Sequence, residues 1–236
     1  MPVSNPYPNI YRHGSAAVNA PYEELGNTAE FRRFVASYEI LKKDLRRVFE
    51  YLEPAPANLG VYSHRLLELL LRSCTEVESL CKLVFRSNGV ELGRGANIIR
   101  FSDLEGPMKL SEYEVFFPAY DVPSMFPFRE FRETDRTMRG PAWYKSYNAA
   151  KHDRGHNFKE ANLGNVLHAL GGAYVLLIAQ IGLYFDTRLQ LGPAGVNKLV
   201  PDVISFRTLP VWSEDERYEF RQQCHTRTAQ FPTAVM

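Results

Sequence analysis

Leu163 to Phe185 reads LGNVLHALGGAYVLLIAQIGLYF. The run is 23 residues long and holds no Asp, Glu, Lys or Arg. By length it suits a membrane span, and by composition it suits the central helix of a packed domain. Asn165, His168 and Gln180 interrupt it, and four glycines make it a poor isolated helix. No second run of this kind follows, and neither flank carries a strong positive cluster outside one short motif. The reading that fits is a buried helix, with Gly164, Ala169, Gly171, Gly172 and Ala173 letting neighbouring helices approach closely. His168 is then expected to be a satisfied core histidine rather than a ligand.

The other helices follow from hydrophobic spacing. Residues 28–52 place Phe31, Phe34, Val35, Tyr38, Leu41, Leu45, Val48 and Leu52 on one face after a Thr28 cap. Residues 63–87 follow a Ser63 cap with Leu66, Leu70, Cys74, Val77, Cys81 and Val84 in steps of four and three. Its charges pair by spacing as Glu68 with Arg72, Arg72 with Glu76, and Glu78 with Lys82. A third helix starts at Pro141, a residue suited to a first turn, and Gly155 separates it from the apolar fourth. Asn157 is placed to cap that fourth helix, which is expected from about Lys159 to Asp186.

Between the helices, residues 88–142 are rich in Gly, Pro and aromatics. Asn97–Ser102 and Tyr113–Phe117 read as strands. The expected architecture is mainly α: an antiparallel helical bundle with an inserted irregular lobe that holds a β-hairpin. The parts are an N-terminal arm (1–27), the bundle core (28–88 and 141–186), an aromatic-rich lobe (89–140) and a C-terminal extension (187–236). That extension has an expected strand at Val203–Phe206 and an amphipathic piece from Ser213 to Gln223.

Composition narrows the function classes. Of 236 residues, 45% are hydrophobic and the net charge is +1. Such a chain builds a core and has no global electrostatic pull toward nucleic acid or anionic lipid. Three cysteines form no disulfide framework; Cys74 and Cys81 fall on the buried face of a helix, which points to a reducing, cytoplasmic setting. The first residues lack the pattern of a secretory signal. No phosphate-binding glycine loop and no serine-hydrolase elbow is present.

Chemistry gathers in Tyr147 to Phe158, YNAAKHDRGHNF. On a helix, Lys145, Asn148 and His152 lie at i, i+3 and i+7, one presented stripe. Trp143 and Tyr147 fall on another face and anchor the helix in the core. From Arg139 to Lys159 there are five Lys or Arg and one Asp, a local charge of +4 that can hold phosphate. Histidine exchanges protons near neutral pH, so His152 suits acid–base work with Asn148 beside it. Lys145, Lys151, Arg154 and His156 are the phosphate-binding candidates. The structural alternative is that His152 sits against Glu76 or Glu78 of the second helix and only holds two helices in register. His152 and His156 have zinc-chelating spacing, but Gly155 falls between them and no third ligand is evident, so neither metal nor cofactor is expected.

The segments WYKSYNAAKHDR (143–154), FKEANLGNVL (158–167) and YSHRLLELLLRSCTEVESLCK (62–82), under half the chain, resemble a group of uncharacterised bacterial helical proteins, which implies no activity. A second resemblance, carried by the helix pair, the spacing of Asn148 and His152 and the long apolar helix after them, is to the HEPN superfamily. It implies a compact helical bundle, usually dimeric, acting on RNA, in many members as a metal-independent endoribonuclease of toxin–antitoxin or antiviral defence systems. It implies His152 and Asn148 as catalytic positions, a second copy of the chain as partner, RNA as ligand, and an antitoxin or defence-system protein as a further partner. Where the family's phosphate-binding arginine is expected, this chain has Tyr147. That departure sets a catalytically silent helical binding module beside the ribonuclease reading.

Overall fold

The computed structural model describes residues 7–15, 28–182 and 203–218. Four long helices make the frame: α1 (Ala29–Phe49), α2 (His64–Ser87), α3 (Ala142–His152) and α4 (Leu163–Ile181). The fold is mainly α, as the spacing predicts. Thr28 Oγ1 accepts from the Phe31 amide (3.1 Å) and Ser63 Oγ from the Leu66 amide (3.2 Å), so both expected caps form. Arg46 and Arg47 lie in the last turn of α1, where cations complement the helix dipole.

α4 runs through the middle and touches the other three long helices, α2 most extensively. From Ala169 to Ile181 every residue is buried. By length and composition alone α4 qualifies as a span, yet 83% of its apolar window is packed inside the fold. α2 covers it most, then α3 and α1. Asn162, not Asn157, caps α4: its Oδ1 accepts from the Asn165 amide (3.0 Å). Asn157 instead donates to the Asp153 carbonyl (3.0 Å).

At Gly171 and Gly172 the lobe approaches α4 closely, and Trp143 of α3 also comes near Gly172. A Cβ on Gly171 would lie 3.1 Å from Val115 and 3.3 Å from Pro127; one on Gly172 would lie 3.1 Å from the Phe128 ring. Trp143, Phe128 and Phe131 stack edge to face or tilted in the same layer. The lobe therefore shares one hydrophobic core with the helices. Periodicity shows that a helix face is buried but cannot show what covers it.

Inside the lobe, Ile98–Phe101 is a helical turn capped by Asn97, not the expected strand. Ile98 and Phe101, three apart, both reach the core, a spacing that a turn of helix satisfies and alternation does not. The second expectation holds: β1 (Glu114–Phe116) is a strand. Its main partner is β2 (Ser205–Thr208), paired antiparallel with Val115 opposite Phe206 and an irregularity between Glu114 and Val115. Within the lobe, Val115 and Met125 form only an isolated bridge in place of a full hairpin. Phe206 stacks on Tyr174 (4.6 Å), which stacks on Tyr38 (5.7 Å), so β2 is tied through α4 to α1. Of the expected amphipathic piece, Glu214–Glu216 is a single tight turn; residues 219–223, like 183–186 of the expected α4 end, lie outside the described residues.

The arm is seated on the body. Ile10 is fully buried, and the Tyr11 amide donates to the Ala179 carbonyl (2.8 Å), serving one of the last-turn carbonyls of α4. Arg12 is buried against the rings of Tyr7, Trp212 and Tyr218, and its guanidinium donates to the carbonyls of Glu216 and Pro107.

Candidate functional site

α3 carries the polar motif, and its first turns are anchored as expected. Trp143 and Tyr147 are buried, and Trp143 Nε1 donates to the Pro127 carbonyl (2.7 Å). Helix α3 ends at His152. The break falls at Asp153, whose extended φ of −142° stops the helix two residues before the expected Gly155. The Asp153 carboxylate then caps the following turn, Arg154–Asn157, and also pairs with His156 Nδ1 (2.9 Å).

His152 is exposed on the last turn of α3, with Asn148 half-buried one turn before it and Lys145 exposed further back. His152 makes no hydrogen bond among the described residues. It does not pair with either glutamate of α2. Glu76 accepts from the Ser37 hydroxyl of α1 (2.6 Å), and Glu78 accepts from the Tyr144 hydroxyl (2.7 Å) with Lys82 at 3.8 Å. The tie between α2 and α3 is thus Tyr144 to Glu78, with no histidine in it. Burial, and then the bond to Glu78, push the Tyr144 hydroxyl pKa far up. The spacing-based pairs of Arg72 are also redirected: Arg72 reaches Asp44 of α1 (2.6 Å), and Glu68 pairs with Arg65 (2.8 Å).

The cations differ in how free they are. Lys151 folds back over the Tyr147 ring (5.1 Å) and donates to its hydroxyl (3.1 Å), a contact that raises the Lys151 pKa. His156 is committed to Asp153. Lys145 and Arg154 are exposed and carry no ion pair among the described residues. Tyr147, where an arginine is expected from the resemblance, is buried and presents only its hydroxyl, to Lys151. Among the described residues no group of three His, Cys, Asp or Glu is arranged to hold a metal. Cys74 and Cys81 are buried in α2, and desolvation raises both thiol pKa values strongly; Cys224 lies outside the described residues.

The sequence reading passed over a second feature, a cleft of about 310 Å³ where the lobe meets the first turns of α4. His168 is in its wall, half-buried rather than sealed in the core. The Gly164 carbonyl can only accept, so His168 Nδ1 carries the proton and donates to it (2.9 Å). Nε2 is left as an acceptor. Burial lowers the His168 pKa, opposed by the Gly164 bond and the nearby Glu130 carboxylate. Comparison of the chain with protein-family models, with curated proteins and with solved structures found no match.

Proposed function

We propose that the protein is an RNA-directed helical module that grips phosphate through the basic end of α3, with His152 positioned to take the proton of a ribose 2′-hydroxyl. The reading is supported by one observation above others. His152 stands exposed and makes no side-chain hydrogen bond among the described residues, with exposed Lys145 two turns back on the same stripe and exposed Arg154 two residues on, while an alternative role in holding α2 to α3 is filled by Tyr144 and Glu78. Metal-independent cleavage needs a base, a cation on the phosphate and little else. The homodimer and the setting in a toxin or defence system rest on the HEPN resemblance.

A binding module without cleavage is the second reading. It is favoured by Tyr147, whose buried hydroxyl cannot replace a bidentate guanidinium on a scissile phosphate. One experiment separates the two. The purified chain is incubated with structured RNA in chelator, beside His152→Ala and the pair Lys145→Gln/Arg154→Gln. Cleavage by the wild type that His152→Ala loses supports the nuclease. Intact RNA with binding that weakens as salt rises, and that falls roughly tenfold in the charge pair, supports the module. No binding by the wild type at low salt rejects both.

A further inference from the structure

The cleft beside His168 carries chemistry that the basic end of α3 does not use. Its walls are largely apolar, drawn from Leu59, Val122, Met125, Phe126 and Trp143. Its polar groups are mostly acceptors. Trp143 has spent its N–H on Pro127 and Ser124 its hydroxyl on Glu114. The Asn165 side chain gives one N–H to the Glu160 carbonyl (2.8 Å), which leaves its oxygen and one N–H. Glu130 is half-buried, and its carboxylate makes no hydrogen bond or ion pair among the described residues. His168 offers Nε2, its Nδ1 being committed to the Gly164 carbonyl. The one cation in the lining, Arg129, is exposed and lies over the Phe126 ring (4.4 Å).

A half-buried carboxylate in the same lining as an imidazole acceptor, and near enough to act on it, disfavours an anion and leaves N–H groups as the missing partners. A carboxylate out of bulk water acts more strongly than an exposed guanidinium, whose field solvent screens. The volume is at the lower end for small-molecule sites, roughly 300–1,000 Å³, and the walls suit a flat apolar body. We propose that this cleft is a binding site for a small planar cation of the amidine class, its N–H groups held by Glu130 and His168 and its apolar part against Met125 and Trp143. The proposal does not depend on the RNA reading, because it uses none of Lys145, His152 and Arg154.

The test uses benzamidine and benzoate, which share a ring and differ in charge, titrated calorimetrically into the full chain. Benzamidine is expected to bind at least roughly tenfold more tightly than benzoate. Glu130→Gln, nearly isosteric and half-exposed, is expected to erase that preference with an unchanged melting temperature. His168→Phe keeps a ring, removes the acceptor, and is expected to weaken benzamidine severalfold. Equal binding of the two probes, no benzamidine binding up to about 10 mM, or a preference that survives Glu130→Gln would each overturn the site.

Discussion

At the residue scale, Gly182 shows how one position joins local backbone to distant packing. It follows α4 with φ 78° and ψ 166°, a conformation that side chains with a Cβ rarely adopt. A Cβ there would also lie 2.7 Å from the Tyr11 ring, because the arm crosses the end of α4 at this point. Gly182→Ala is therefore expected to destabilise by about 2 kcal/mol or more, within the range for strained backbone plus a steric conflict. A thermal melt reads this as a fall of roughly 4–8 °C for a chain of this size. A variant that melts with the wild type would show that the arm does not press on Gly182 in solution. His152 makes the opposite point. Its helical position follows from spacing, but its exposure depends on the α2 glutamates being occupied by Ser37 and Tyr144.

At the element scale, the bond from the Tyr144 hydroxyl to Glu78 fixes α3 against α2. Tyr144 is buried, so its hydroxyl has no comparable alternative partner in water. Removing it leaves Glu78 short of a donor on a partly exposed edge. Tyr144→Phe is expected to cost about 1.5–3 kcal/mol, the usual range for a hydrogen bond to a charged group. Denaturant unfolding would show a lowered midpoint with unchanged slope; an unchanged midpoint would mean that apolar packing alone seats α3. The same element shows what spacing can and cannot reveal. The i, i+3, i+7 stripe of Lys145, Asn148 and His152 was legible in the sequence. That Lys151 turns back onto Tyr147 was not, since it depends on where the Tyr147 hydroxyl emerges from the core.

At the scale of the whole molecule, the arm, the lobe and the C-terminal segment meet at one clasp. Arg12 and Lys109 flank Trp212 at 4.5 and 4.6 Å from its ring centroid, and Lys109 Nζ pairs with Glu216 (2.9 Å). Lys109, then the Ser213 amide and hydroxyl, hold the Glu216 carboxyl down to a pKa of about 2. The carboxyl titrates lower folded than unfolded, so its contribution is complete above the ordinary carboxylate range, near pH 4.3, and fades as pH falls toward about 2. Glu114, lowered by hydrogen bonds from Ser124 and Thr208, shares in this acid sensitivity at the β1–β2 edge. Glu216→Gln is expected to be less stable than wild type at pH 7, with the difference shrinking below pH 4. Melting temperatures of both chains across that window check it; parallel curves would remove Glu216 from the acid response.

The amino-acid sequence by itself determined the long helices, two of their caps and the burial of α4, because these rest on residues within a few turns of one another. Phe31 to Leu45 and Leu66 to Val84 make apolar stripes whatever they pack against, and a charge-free α4 with Gln180 and two adjacent glycines suits an interior. It also placed Lys145, Asn148 and His152 on one helical stripe. Tertiary structure alone decided the rest. It chose Val115, Pro127 and Phe128 to fill the glycine face of α4. It paired β1 with a strand about ninety residues away, and it gathered Glu130, Trp143 and His168 around one cleft. Periodicity records that a face is covered; the identity of the cover depends on chain closure over long separations, where no local spacing carries the information.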